Sequence, residues 1–187
     1  MIIKSGDHTV LLSCEGGSIL GWQWRGHWIL GPTRMEKVGD DFKLRGMTHW
    51  CYPNFGKAEG LPQHGFLRES LMEARRPSDE FAEFRKSFAA IDGFPWESRV
   101  LIENGIYCGD SEHYDHLTSS MTITNTSYRR EYKTLGDMPI LPALHPYFCV
   151  EPIFCAIPDS FRHGFLGKFL EPKYTVNCDV RFFFEPA

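Results

Sequence analysis

No stretch of the 187-residue sequence approaches the ~18–20 consecutive apolar residues of a membrane-spanning helix, which excludes a helical span. Basic charge is not in excess either: 20 Lys and Arg stand against 24 Asp and Glu, giving a net charge of −4 and a pI near 6.1. That balance offers no global basic field to capture nucleic acid or anionic lipid. The opening "MIIKSGDHTVLLSCEGG" lacks signal-peptide anatomy, because Asp7 and His8 interrupt any apolar core. Six cysteines (Cys14, Cys51, Cys108, Cys149, Cys155, Cys178) form no Cys-x-x-Cys pair and no compact framework, so they read as reduced thiols. The expected location is the cytoplasm. No window sustains a 3.6-residue period over three turns, and there is no internal repeat, low-complexity tract or linker. One domain over residues 1–187 is the simplest organisation.

What the sequence does have is aromatic residues, 14% of the chain with 15 Phe and 5 Trp. Such rings pack well on a pleated sheet, and an exposed one can stack on the apolar face of a sugar. Short apolar segments separated by Gly, Pro, Asn and Asp dominate. "TVLLSCEGGSILGWQWRGHWILGP" predicts three successive strands, with turns at Gly16-Gly17 and Arg25-Gly26. "DEFAEFRKSF", "ESRVLIENGIYC" and "LTSSMTITNTS" alternate as strands do, with Val100 and Ile102 on one face and Leu117, Ser119, Met121 and Ile123 on another. "SLMEARRPSDEF" has room for one helical turn before Pro77 stops it. The pattern predicts an all-β protein of sandwich or barrel type.

One segment differs in character: "KLRGMTHWCYPNFGKAEGLPQHGFLRES", residues 43–70, rich in Gly, Pro, aromatics and His. A loop of that length is uncommon unless it is functional. It contains His64 in "LPQHGF", and a second histidine in a similar setting, His145, follows in "LPALHPYF". The spatial expectation is that these two imidazoles meet in one pocket.

These motifs resemble those of the aldose 1-epimerase (galactose mutarotase-like) superfamily, most closely its hexose-6-phosphate 1-epimerase branch. Its Arg-Gly-Gly-Ile-Pro, Pro-x-Phe-Gly and Leu-Pro-x-His-Gly-Phe-Ala-Arg motifs are matched in order by Arg45-Gly46, by Pro53 to Gly56, and by Leu61 to Arg68. "GFPWESRVLIE", "MTITNTS" and "LPALHPYF" continue the resemblance to about residue 150. It implies a galactose mutarotase-like β-sandwich (supersandwich) with a sugar cleft, and cofactor-independent interconversion of the α and β anomers of an aldohexose or hexose 6-phosphate. An acid protonates the ring oxygen while a base takes the proton of the anomeric hydroxyl. The ring opens, C1–C2 rotates, and reclosure gives either anomer. Histidine suits the acid, since its ordinary pKa is near 6.5, and a carboxylate suits the base. By resemblance His145 is the acid, His64 and Arg68 hold the sugar, and Arg45 holds a phosphate, a task that suits a planar guanidinium. No metal or organic cofactor is implied, and the partner is a small sugar or sugar phosphate.

The base is the family's glutamate in a Glu-Pro context on a late strand. Glu185 in "FFFEPA" fits that placement best. Glu151 in "CVEP" is six residues from His145, about 20 Å away on a straight strand, and Glu171 in "EPKY" is a weaker candidate. Asp159 and Asp179 are both candidates for the family's aspartate before the base. Met47-Thr48-His49 replaces the motif's Gly-Ile-Pro, so His49 inherits no role and reads as a loop residue or an extra ligand contact. Little chain follows His145, which implies a truncated sandwich with exposed sheet edges that a homodimer would cover. Two alternatives remain open. One is a non-catalytic carbohydrate-binding or regulatory domain on the same fold. The other is a small cupin-like metal protein using His49, His64, His113, His116 or His145, with "HYDH" as a solvated loop.

Overall fold

The computed structural model describes residues 1–109, 115–127, 137–148, 168–170 and 175–184. Among them no helix is long and apolar enough to cross a membrane. Four strands, β1 (Ile2–Ser5), β2 (His8–Leu12), β3 (Ile19–Trp24) and β4 (His27–Leu30), pair in chain order as one antiparallel sheet. The turns fall where the sequence puts them. Arg25 and Gly26 take φ of 48° and 84°, the left-handed pair of a two-residue hairpin, and Gly16 and Gly17 are left-handed as well. β5 (Arg34–Val38) and β6 (Asp41–Arg45) form a separate hairpin whose ten residues are all exposed.

After β7 (His49–Cys51) come β8 (Glu73–Arg75), β9 (Phe81–Phe88), β10 (Ser98–Tyr107) and β11 (Asp115–Asn125). The later strands are β12 (Met138–Ile140), β13 (Ala143–His145), β14 (Lys168–Leu170) and β15 (Thr175–Phe184). A five-stranded sheet has the order β15-β11-β10-β9-β8, while β12 pairs β14 and β13 pairs β7. This is the all-β architecture expected.

Period-2 alternation decides which face is inside. Along β10 and β11, Val100, Ile102, Leu117, Ser119, Met121 and Ile123 are buried, while Glu103, Thr118 and Thr122 point the other way. The buried face meets Ile3, Val10, Leu12 and Trp22 of the first sheet in one apolar cluster. Burying a side chain of this size is worth about 1.5–3 kcal/mol, so this face dominates the stability. Polar groups tie the sheets together as well: Asn104 Nδ2 donates to the Gly17 carbonyl (3.2 Å), and His8 bonds Asp115 (2.9 Å).

Three local expectations need correction. The stretch 70–81 holds no helical turn: Glu73–Arg75 is strand β8, paired with Arg85 to Glu83, and only a single 3-10 turn, Leu67–Glu69, precedes it. Pairing against an existing strand outweighs a weak local preference. Residues 43–70 are not one loop, because they contain the end of β6 and all of β7. His116 of "HYDH" lies on β11, its ring tilted against Tyr107 (4.8 Å), while His113 lies outside the described residues.

Gly65 is the tightest point of this framework. Its φ is 72°, and a Cβ there would sit 2.0 Å from the Tyr52 carbonyl oxygen. Gly65→Ala is therefore expected to cost at least about 2 kcal/mol. Urea unfolding measures it, and a midpoint unchanged from wild type would refute the close approach.

Candidate functional site

The site begins with how β7 is mounted. Trp50 turns into the core, where its indole N–H donates to Ser119 Oγ on β11 (3.0 Å). Tyr52, also fully buried, donates its hydroxyl to Ser98 Oγ on β10 (2.7 Å). Alternation then turns His49 to the face opposite Trp50. The β7–β13 ladder pairs His49 with His145 directly, and their rings stack at 5.4 Å with 10° between planes. Tyr147 stacks on His145 (4.9 Å) and on His49 (6.5 Å), and it donates its backbone N–H to Thr48 Oγ1 (3.1 Å).

His64 arrives from the turn before Gly65. Its φ of 67° is left-handed, a conformation that costs a non-glycine residue about 1–3 kcal/mol and clusters at functional sites. Gly56 clamps it twice: the His64 N–H donates to the Gly56 carbonyl (2.8 Å), and the Gly56 N–H donates to Nδ1 (3.1 Å). Nδ1 is thus an acceptor, and the neutral ring carries its proton on Nε2. The His64 ring lies edge-on to His145 at 5.4 Å and 6.4 Å from His49. Phe55, exposed, flanks His64 (5.1 Å) and His145 (6.2 Å). The two imidazoles predicted to converge do so, and a third joins them.

Arg68 sits in the 3-10 turn, its position fixed by the β2–β3 turn. A Cβ on Gly16 would lie 2.7 Å from Arg68 Cα, and the Gly16 N–H donates to the Ser70 carbonyl (2.9 Å). Only a glycine allows that approach. One Arg68 terminal nitrogen lies 3.3 Å from Glu69, while its Nε is buried with no partner. Arg68, His49, Tyr147, Glu15 and Glu69 line one wall of a cavity of about 530 Å³. The β5–β6 hairpin supplies the other wall through Met35, Phe42, Lys43 and Arg45. Arg45 is half-exposed and 3.6 Å from Glu36, so its guanidinium is available to the cavity.

Crowding three imidazoles and a guanidinium together has an electrostatic consequence. His49 falls to about 4, first because burial removes its water and then because His145, Arg68 and His64 repel a proton there. Its hydrogen bond to the Met47 carbonyl (2.9 Å) opposes the shift without reversing it. His64 is lowered by the same causes, burial first and then His145 and Arg68. Burial pushes the Cys51 thiol up to about 12, so it is no nucleophile.

The structure thus brings together His64, His145 and Arg68; of these Arg68 lines the cavity opposite Arg45, whereas His64 and His145 are not among the cavity's lining residues. Glu185, Glu151, Glu171 and Asp159 lie outside the described residues. On the strand before Glu185, Phe182 meets Phe148 edge-on at 5.9 Å. Asp179 is exposed and pairs with Ser120 on the outer face of the five-stranded sheet, away from the core. Among the described residues, the donor set tight enough for a metal is not the histidine trio but His8, Cys108 and Asp115. That set does not suit a cation: the Trp22 indole N–H donates to His8 Nδ1 (3.1 Å), which leaves the proton on Nε2 facing Asp115. The resemblance gives His49 no role, and the sequence reads it as a loop residue, an extra ligand contact or a metal ligand. The signal that could have found it was period-2 spacing from Trp50 within an apolar run, which makes position 49 a strand position.

No protein-family model and no curated protein matches the sequence. Solved structures do match. A galactose mutarotase-like protein from Lactobacillus casei superposes with a TM-score of 0.62 at 18% identity, over 81% of this chain and 50% of its own. A galactose mutarotase related enzyme from Lactobacillus acidophilus gives 0.60 at 15%, over 79% and 48%. A protein of Escherichia coli K12, named only provisionally as an aldose 1-epimerase, gives 0.60 at 18%, over 81% and 52%. The fold is galactose mutarotase-like. This chain spans about half the length of the structures it matches.

The lowered His49 makes stability depend on pH. As pH falls below the ordinary value of 6.5, the unfolded chain takes the proton first. Stability is whole above 6.5 and is lost as pH falls toward 4. Between pH 7 and 4.5 the loss for His49 alone is expected to be about 2–3 kcal/mol. Urea midpoints of wild type and His49→Phe at the two pH values measure it, the variant losing less by that amount. Equal losses in the two proteins would remove His49 as the cause.

Proposed function

We propose that this chain handles a sugar in a cofactor-independent anomer interconversion, acting on an aldohexose or hexose 6-phosphate as an aldose 1-epimerase does. The observation that carries the reading is the convergence of His64 and His145, rings 5.4 Å apart, beside Arg68 on a galactose mutarotase-like scaffold. The fold alone would not suffice, since one fold hosts many activities. In this reading His145 gives a proton to the ring oxygen O5 while a carboxylate, assigned to Glu185, takes the proton of the C1 hydroxyl. The C1–O5 bond breaks, the open aldehyde rotates about C1–C2, and the same two groups return their protons in reverse as the ring closes. His64 donates from Nε2 and Arg68 from its guanidinium to sugar oxygens. Phe55 and Tyr147 offer ring faces to the apolar face of the pyranose. Arg45 and Lys43, across the cavity, hold a 6-phosphate where one is present.

Saturation-transfer NMR of α/β exchange in glucose, galactose and glucose 6-phosphate tests this. Wild type accelerates exchange, and His145→Ala removes the acceleration, about 10²–10⁴-fold for one acid–base group. Arg45→Ala slows glucose 6-phosphate about 10–100-fold and leaves glucose nearly unchanged. Equal losses on both sugars would strip Arg45 of the phosphate role. A wild type that binds sugar without accelerating exchange would make the chain a carbohydrate-binding domain instead.

A further inference from the structure

His49 carries a combination of features that the acid–base chemistry does not use. Its side chain is 5% exposed, and it lines the cavity. Its Nδ1 lies 2.9 Å from the Met47 carbonyl, an oxygen that can only accept, so Nδ1 holds the ring proton. In the neutral ring Nε2 is then a lone pair with no proton to give. That Nε2 is buried and meets no donor from the protein. Two more atoms of the same cluster are in the same condition, Arg68 Nε and His145 Nδ1. A buried acceptor without a donor is unfavourable, and folded proteins seldom leave one unless something else meets it.

We propose that His49 is a substrate-recognition residue of the sugar site, its Nε2 accepting a hydrogen bond from one ring hydroxyl of the pyranose. The inference rests on the sugar-handling reading and adds to it a specificity determinant and an orientation. A lone pair refuses an anion, because a phosphate dianion or carboxylate has no proton to offer it. The hydroxyl-bearing ring therefore lies against His49, and any phosphate lies toward Lys43 and Arg45 on the hairpin wall. The depressed basicity of the ring supports this role, since it keeps the lone pair free at neutral pH. His64 presents the opposite polarity, a donor at Nε2, which lies beside the exposed Gln63 side-chain amide (3.3 Å).

The test uses wild type, His49→Phe and His49→Gln with glucose, its 2-, 3- and 4-deoxy analogues and 1,5-anhydroglucitol, binding being followed by calorimetry. In wild type one analogue binds about 10–100-fold more weakly than glucose, as a site built around a hydroxyl requires. His49→Phe keeps the ring shape without the lone pair and binds that analogue and glucose alike. His49→Gln, with an acceptor oxygen, restores part of the discrimination. A second measurement needs no variant. In ¹⁵N-labelled wild type at pH 7, the His49 Nε2 resonance sits at the unprotonated position and moves upfield on saturation with glucose, while Nδ1 stays. Discrimination surviving in His49→Phe, or an Nε2 resonance unmoved by saturating glucose, would overturn the assignment. If that happens while wild type still accelerates anomer exchange, only His49 falls. If wild type binds none of the sugars, the sugar-handling reading falls with it.

Discussion

The site depends on two hydrogen bonds that are nowhere near its chemistry: Trp50 to Ser119 and Tyr52 to Ser98. The ladder that carries two of the three imidazoles is only three residues long on each strand, too short to hold itself. What fixes it is that Trp50, Tyr52 and Leu144 are core residues, packed against the inner face of β10 and β11. The two serines lie on that face by strict alternation with Val100, Met121 and Ile123. A buried indole N–H or phenol must find a partner, and each finds one hydroxyl in a wall that is mostly apolar. The depth, tilt and rotation of β7 follow, and with them the direction in which His49 points.

Placing imidazoles on such a wall sets their charge state. Each proton added to His49 must enter a site already facing Arg68, His145 and His64, after losing most of its water. Burial and these neighbours hold His49 and His64 toward their neutral forms, and neutral imidazoles are defined by their tautomers. Backbone partners decide two of these. The Met47 carbonyl fixes His49 as an acceptor at Nε2, and the Gly56 N–H fixes His64 as a donor at Nε2. One acceptor and one donor side by side suit a polyhydroxyl ligand, the class proposed for this site.

Much of this was legible in the residues. The alternating runs at 98–107 and 115–125 name the sheet and its inner face, and Gly16-Gly17 and Arg25-Gly26 name the turns. His64 and His145 could be paired because both stand in similar Leu-Pro and aromatic settings whose order matches a known pattern. β8 escaped because its three residues have no strand signature of their own; only β9 beside them makes a strand there. His49 escaped for a related reason. In a run dense in aromatics, glycine and proline, local composition speaks for a loop. The strand exists because Trp50 is drawn into the core and β13, about a hundred residues on, pairs with it. Long-range partners of this kind leave little local trace beyond the spacing from Trp50.

The motif that His49 interrupts shows how such a wall changes. The resembled pattern has proline at this place, a residue with neither a ring nitrogen acceptor nor a backbone N–H. Antiparallel register fixes where the Cβ of position 49 points whatever the side chain is, and it fixes His145 opposite. Histidine at 49 thus adds a polar atom to the cavity wall without moving a strand, since the cost of burying it is held down by the Met47 carbonyl on one side and the stacked ring of His145 on the other. Low identity with a shared fold is the expected result of such changes. The core pattern that mounts β7 must persist, while the faces it turns toward the cavity are free to acquire new hydrogen-bonding groups one residue at a time.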